Sequence, residues 1–344
     1  MSAPPDAARD TAVMVSGLRK SFRVKNGTVA AVTGVDLAVA EGEIFGLLGP
    51  NGAGKTTTLR ILTTLLPADD GEAIVAGADV RREPRLVRRR IGYVGQLGGA
   101  DANATGRENL LLAGRLYGLS AGAARQRATE LLTVFDLAAL AGRSVRTYSG
   151  GQKRRLEVAL GIMHEPRVLF LDEPTTGLDP QNRANLWDQL RQLRAGGATI
   201  VITTHYLDEA DQLCDRVAIV DHGTVIALGT PEELKRRYSG NAITLTPSVP
   251  AAGLPGLAKE LAGELTAQAL AAPAGGTGAA EGMAVSGAAI RLAVTDTTRA
   301  MAAACGLLAA RGIEVADVSV ARPTLNDVFL NETGTTLRDT GVAA

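Results

Sequence analysis

From Val13 onward the chain alternates short apolar runs with stretches whose apolar positions recur at helical spacing. Residues 29–39, 43–48, 91–94, 168–171, 198–203 and 217–220 read as strands, and several of these runs are apolar throughout. A strand that is apolar on both faces belongs inside a largely parallel sheet covered by helices on each side, so the pattern predicts an α/β domain. Between residues 105 and 160 the period becomes helical, over 107–117, 121–135 and 151–163, with no persuasive strand among them. These stretches predict a helical insert in the core, at about residues 99–163. Pro84, followed by Arg85, Arg88, Arg89 and Arg90, opens a basic helical segment that reads as a solvated face.

A last helix of this domain runs from Pro231 toward Tyr238, and beyond it Ala, Gly and Pro dominate residues 247–282. A second domain is expected over residues 241–332, with strands at 242–245, 283–294 and 313–320 and helices at 254–261 and 298–310. A small α+β module fits this order, and a ferredoxin-like β-α-β arrangement is compatible with it. The Gly- and Ala-rich residues 271–282 read as a flexible hairpin loop. Residues 1–11 read as a flexible N-terminus and residues 333–344 as a flexible tail. No internal repeat is visible.

Composition narrows the function classes. The chain has 344 residues, about twice the roughly 150-residue scale of one domain, which agrees with two. Lys+Arg and Asp+Glu number 36 each, so nothing in the bulk charge draws the protein to nucleic acid, and no such partner is expected. A 46% hydrophobic fraction excludes disorder of the whole chain. No run approaches the roughly 20 apolar residues of a membrane span. Residues 1–10 carry Pro4, Pro5, Asp6, Arg9 and Asp10 in place of a basic stretch and an apolar core. The expectation is a chain that does not cross a bilayer by itself and stays in the cytoplasm. Cys214 and Cys305 match neither a disulfide framework nor a metal knuckle and read as small hydrophobes. Function must therefore come from a site.

The run 43–48 leads into Gly49-Pro50-Asn51-Gly52-Ala53-Gly54-Lys55-Thr56, and then into a helix that starts with Thr57. Strand, glycine-rich turn and helix in this order form a phosphate-binding loop. The glycines let successive N–H groups aim at phosphate oxygens, and the helix N-terminus adds a favourable dipole. Lys55 can reach the β- and γ-phosphates, and the Thr56 hydroxyl can meet Mg²⁺. The run 168–171 then delivers Asp172 and Glu173 at a strand end. Asp172 would hold Mg²⁺ through water, and Glu173 would polarise the attacking water.

With these motifs in place, residues 12–238 resemble the ATP-binding subunit of an ABC transporter. The most specific element is Tyr148-Ser149-Gly150-Gly151-Gln152-Lys153-Arg154-Arg155, which matches the family signature. The resemblance implies a P-loop NTPase α/β core with a helical subdomain, ATP and Mg²⁺ as cofactors, and a head-to-tail homodimer. In that pair Ser149, Gly150 and Gly151 clasp the γ-phosphate held by the opposite subunit. It also implies that Gln96 is the loop glutamine that senses Mg²⁺ and links to the membrane partner. Asp179, in Gly177-Leu178-Asp179, would cross the dimer interface, and His205 would contact the γ-phosphate and support the attacking water. Phe22 falls where the family stacks an aromatic on adenine, but the spacer over residues 23–28 is slightly long, and a core role for Phe22 stands beside that one. His164 and His222 read as structural or surface residues. Two departures are visible: Gln152-Lys153 within the signature, and Gly98-Gly99 after Gln96, which reads as a pliable loop.

Gly106-Arg107-Glu108-Asn109-Leu110, Gly114-Arg115-Leu116-Tyr117-Gly118 and the closing residues 322–330 resemble the drug-exporter subgroup related to the daunorubicin resistance ATPase. This implies a peripheral protein on the cytoplasmic face of the cell membrane that energises efflux of hydrophobic drugs or antibiotics through a separate integral membrane permease. An ATPase subunit for lipid, polysaccharide or another substrate would share every nucleotide motif, and the C-terminal pattern is what argues for drug export. A non-transport ATPase acting on DNA or ribosomes would bring a long coiled coil or paired cassettes, and this chain has one cassette. A purely regulatory nucleotide-binding module would leave Lys55 and Glu173 idle.

Overall fold

The computed structural model describes residues 11–25, 27–238, 241–248, 253–271, 283–286, 289–321 and 324–333. Nearly all of the expected flexible N-terminus, tail and 271–282 loop lies outside these residues, as do Arg322 and Pro323 of the closing pattern. The chain divides into two compact units, Met1–Leu228 and Gly229–Ala344.

In the first unit, β1 (Thr11–Val24) and β2 (Gly27–Ala40) form a long antiparallel pair. The strand β3 (Ile44–Leu48) leads to α1 (Lys55–Leu62), followed by β4 (Asp70–Val75), β5 (Ala78–Asp79), α2 (Pro84–Arg90) and β6 (Ile91–Val94). Three helices come next: α3 (Gly106–Leu116), α4 (Ala121–Val134) and α5 (Gly150–Gly161). The unit then alternates β7 (Val168–Asp172), α6 (Pro180–Ala195), β8 (Thr199–Thr204), α7 (Leu207–Leu213), β9 (Arg216–Asp221) and β10 (Thr224–Gly229).

The strands form two sheets. The order β10-β9-β3-β8-β7-β6 makes the central sheet, and its pairs from β9 to β6 are parallel. Every residue of β3, β7 and β8 is buried, the polar Asp172, Thr199, Thr203 and Thr204 included, as strands covered on both faces require. The order β2-β1-β4-β5 makes a separate antiparallel sheet. Its strands bury one face, as the alternation Val13, Val15, Leu18 and Val35, Leu37, Val39 shows, and that face joins the core that includes Phe45, Leu59 and Phe170. The predicted helical insert is present as α3 to α5. Thr105 and Glu108 form a reciprocal capping box at the start of α3, and Ser120 caps α4.

The second unit opens with α8 (Pro231–Tyr238), then β11 (Asn241–Pro247), α9 (Leu254–Ala267), β12 (Met283–Ser286), β13 (Ala289–Val294), α10 (Thr297–Ala310), β14 (Val315–Ala321) and α11 (Leu325–Thr333). Its sheet is antiparallel in the order β12-β13-β11-β14, the split β-α-β arrangement. Leu257, Leu261, Ala300, Ala304 and Leu308 pack on Ile243, Leu245, Ile290 and Leu292. The division between units falls at Leu228/Gly229, whereas the sequence pattern draws it at Tyr238. The helix α8 packs on α11 within the second unit, a long-range contact that no local signal carries. No helix among the described residues is long and apolar enough to cross a membrane.

Candidate nucleotide site

The sheet order builds the site. The strand β8 lies between β3 and β7, with Leu48 opposite Thr204 and Asp172 opposite Thr203. The phosphate loop after β3, the acids at the end of β7 and the histidine after β8 therefore emerge side by side, at the carboxyl ends of parallel strands where α/β folds bind ligands. The Gly49 N–H donates to the Thr204 carbonyl (3.3 Å), and the Ala53 carbonyl accepts from Gly223 (3.0 Å), so the loop is pinned to both neighbours. Gly54 has φ +100° and lies so close to the Ala31 carbonyl that a side chain would collide with it. It is the N-cap of α1, and no side chain caps that helix.

A cleft of about 380 Å³ is lined by Phe22, Ala31, Asn51, Gly52, Gly54, Lys55, Thr56, Thr57, Gln96 and Glu173. The Lys55 ammonium donates to the carbonyls of Gly49 (2.7 Å) and Pro50 (2.9 Å) and stands 4.0 Å from Glu173 Oε1. Burial pushes it below its ordinary value, against the pull of Glu173 and Asp172. A cation short of solvent beside a cleft favours an anionic ligand. Glu173 Oε1 lies 3.4 Å from His205 Nδ1. The imidazole above all, then the Lys55 ammonium, hold the Glu173 carboxyl below the usual carboxylate range, with burial opposing them. Glu173 is thus ionised at neutral pH and able to accept a proton.

Asp172 is buried. Its Oδ1 accepts from Thr56 (2.9 Å) and Thr203 (2.6 Å), whereas Oδ2 is buried with no partner. A buried carboxylate oxygen left over beside a threonine hydroxyl is a hard-oxygen donor set, and it fits Mg²⁺, which takes few protein ligands and completes its shell with water and phosphate. Glu173 itself has φ +47°, a left-handed conformation that costs a non-glycine residue about 1–2 kcal/mol.

Phe22 pairs with Val29 across the hairpin, is 37% exposed and faces the cleft, so the structure places it outside the core. Gln96 sits in the turn after β6 and borders both the cleft and a larger groove of about 590 Å³ beneath α3. Ser149, Gly150, Gly151 and Asp179 do not line the cleft. They form a second cluster: Ser149 caps α5, Asp179 caps α6, and Gly151 abuts Asn182, whose amide donates to Asp179 (2.6 Å). His164 stacks on Tyr117 and bonds the Ile91 carbonyl, and His222 is exposed beside Asp221. Cys214 is buried, with its thiol pushed well up by burial.

Two residues here have no role read from the sequence: Thr203, which lies in no motif, and Arg154, which lies inside the signature stretch. Thr203 donates to Asp172 and accepts from the Glu173 N–H (2.9 Å), but inside an apolar strand it reads as β-sheet filler. Arg154 is buried on α5. Its signal is a charge on the stripe of Gly151 and Val158, with Glu157 three residues on.

Parallel strand, glycine-rich loop and helix, with acids on a nearby strand end, define a P-loop nucleoside-triphosphatase core. Residues 32–176 match the family model described as ABC transporter. A daunorubicin resistance ATP-binding protein of Streptomyces coeruleorubidus is 46% identical over 94% of this chain and 96% of that protein. The daunorubicin/doxorubicin resistance ATP-binding protein of Streptomyces peucetius is 53% identical over 68% of this chain and 70% of that protein. A solved dimeric ATP-binding cassette in a post-hydrolysis state, bound to ADP and Pi, superposes with a TM-score of 0.59 at 27% identity, covering 63% of this chain and 98% of that one. The chain belongs to the ABC transporter family, as an ATP-binding subunit of the daunorubicin/doxorubicin resistance type.

Proposed function

We propose that this protein hydrolyses ATP to energise efflux of hydrophobic antibiotics through a separate membrane permease. The observation that carries the ATPase reading is the position of Glu173, one residue past Asp172, with its ionised carboxylate 4.0 Å from Lys55 and 3.4 Å from His205. Lys55 steadies the transferred phosphoryl group, Glu173 accepts the proton of the attacking water, and His205 orients that water and the γ-phosphate. Phe22, at the mouth of the cleft, stacks on the base. Thr56 and Asp172, with Gln96 at the rim, would hold Mg²⁺, which supplies charge neutralisation at the β- and γ-phosphates.

Ser149, Gly150, Gly151 and Asp179 lie apart from the cleft of their own chain, and this supports a head-to-tail homodimer in which they complete the partner's site. The groove under α3 exposes Leu97, Leu112 and Leu116, an apolar surface suited to the permease. The protein is then peripheral, on the cytoplasmic face of the membrane. Export of anthracycline-like drugs rests on the likeness to the Streptomyces resistance proteins, which in one case extends through the second unit. Two measurements test the reading. Glu173→Gln should lower phosphate release by about 10²–10⁴-fold and trap an ATP-bound dimer; near-normal hydrolysis would remove Glu173 from the role of base. Inverted vesicles containing this protein and its permease should accumulate daunorubicin only with ATP, and no accumulation of daunorubicin or other lipophilic antibiotics would overturn drug export.

A further inference from the structure

Arg154 is buried at the start of α5 and is used by none of the steps above. Its Nε donates to the Pro174 carbonyl (2.8 Å) and its Nη2 to the Asp172 carbonyl (3.1 Å). Its Nη1 donates to the Gly95 carbonyl (2.8 Å) and to Glu157 Oε2 (3.1 Å). Four donors of one planar fork are thus spent, three of them on backbone.

The choice of carbonyls is informative. Those of Asp172 and Pro174 flank Glu173, whose left-handed backbone persists only if its surroundings over-determine it. With the Thr203 hydroxyl taking the Glu173 N–H, the peptide before Glu173 is held at both its carbonyl and its N–H, and the next carbonyl but one, that of Pro174, is held by the same arginine. The third carbonyl, Gly95, immediately precedes Gln96. The counter-ion Glu157 is also buried, and it lies under the same loop, because a side chain at Gly98 (φ +70°) would collide with its carboxylate. Gly98, the first of the two glycines after Gln96, thus permits this close approach. One side chain of the signature helix grips the backbone on either side of Glu173 and the residue before Gln96.

We propose that Arg154 is a positioning residue. From α5 it holds the backbone of Glu173 in its left-handed conformation and ties it to the loop that carries Gln96, so that the carboxylate points at the attacking water. The inference rests on the reading of Glu173 as the base. It assigns Arg154 no contact with nucleotide, so its loss should separate turnover from binding.

The test compares Arg154→Lys, the double variant Arg154→Met with Glu157→Met, and Glu173→Gln, in the full chain. The double variant replaces the buried pair by apolar side chains and leaves no lone charge, so it is the one expected to fold. Melting is followed by circular dichroism, binding by the fluorescence of an N-methylanthraniloyl ATP analogue, and turnover by phosphate release. The double variant should bind the analogue within threefold of wild type and lose about tenfold or more in kcat, since one kcat decade needs only a small rise in barrier. Arg154→Lys, which can keep Glu157 and one carbonyl, should fall between. A folded double variant with kcat within twofold of wild type would overturn the inference, as would a loss of affinity equal to the loss of kcat. If both variants unfold, Gly98→Ala decides, because its methyl presses on Glu157 from the loop: lowered kcat at unchanged affinity supports the role, and unchanged kcat overturns it. Turnover retained by Glu173→Gln would instead sink the base assignment, and turnover lost there but kept in the double variant sinks only the role of Arg154.

Discussion

Two helices of the first unit begin at residues that the site reading directs at phosphate, and they begin differently. The helix α1 starts at a left-handed Gly54 with no side-chain cap, inside a cleft that already holds Lys55, Thr56 and Glu173. The helix α5 starts at Ser149, whose hydroxyl accepts from Gln152 N–H (3.3 Å), while its own N–H donates to the Gln152 side chain (2.9 Å). A helix end without a side-chain cap keeps its N–H groups for a ligand. An end that caps itself is stable alone, and on the proposed pairing its exposed Ser149 and Gly150 would be donors for an anion held by the partner. On the proposed head-to-tail pairing, the first end would serve its own chain's nucleotide and the second a neighbour's.

The sharpest way to break this contrast is Lys55→Ala. We expect phosphate release to fall by about 10²–10³-fold, the scale of losing one preorganised charge donor, and ATP affinity of the isolated subunit to fall with it. Unchanged affinity in a dilute titration would mean that α1 is not the primary phosphate site. Ser149→Ala should cost about 10–100-fold in hydrolysis, the worth of one hydrogen bond to a charged group, yet leave ATP binding by dilute subunit within twofold. Weakened binding there would erase the distinction between the two ends.

Gln152→Ala removes only the reciprocal half of the capping box. It should lower stability by about 0.5–1 kcal/mol, read as a melting shift of about 1–4 °C, and change hydrolysis by less than about twofold, well short of the effect of losing one charged hydrogen bond. The smallest effect is on pH dependence. Because His205 and Lys55 hold Glu173 below its ordinary value of 4.5, its ionised form stabilises the fold above that value. The benefit fades as pH falls through the lower folded value. The melting difference between wild type and Glu173→Gln should therefore be flat from neutral pH to about 5 and shrink below that range; a difference that shrinks near neutrality would show that the carboxyl is not held low.

Most of the elements that position the site were legible because their signals are short-ranged. The short apolar-rich runs became β3, β7 and β8, and the helical stretches read over 107–117, 121–135 and 151–163 became α3, α4 and α5; the helix α6 after Asp179 is not among those stretches. The antiparallel sheet of β1, β2, β4 and β5 was less legible, since one-sided alternation does not say which sheet a strand joins. Phe22 shows the same limit at the scale of one side chain. Four residues of its spacer, Arg23, Val24, Gly27 and Thr28, proved to be paired strand ends, and only the pairing of β1 with β2 turns the ring to the cleft.

The order of residues alone offered the chemistry of the site: a glycine-rich loop ending in Lys55-Thr56, acids at a strand end and a histidine after another strand, with a second helix start that the family resemblance directs at phosphate. Turn conformation, capping and strand burial are decided within a few residues, so they can be read in one dimension. The tertiary structure decided what those groups can do together. It set β8 between β3 and β7, which brings His205 to Glu173 and gives Asp172 its partner Thr203. It buried Arg154 against three carbonyls from two distant segments, and it moved α8 into the second unit. These are long-range outcomes: a buried donor must find an acceptor wherever the packed chain leaves one, and no local pattern records which acceptor that will be.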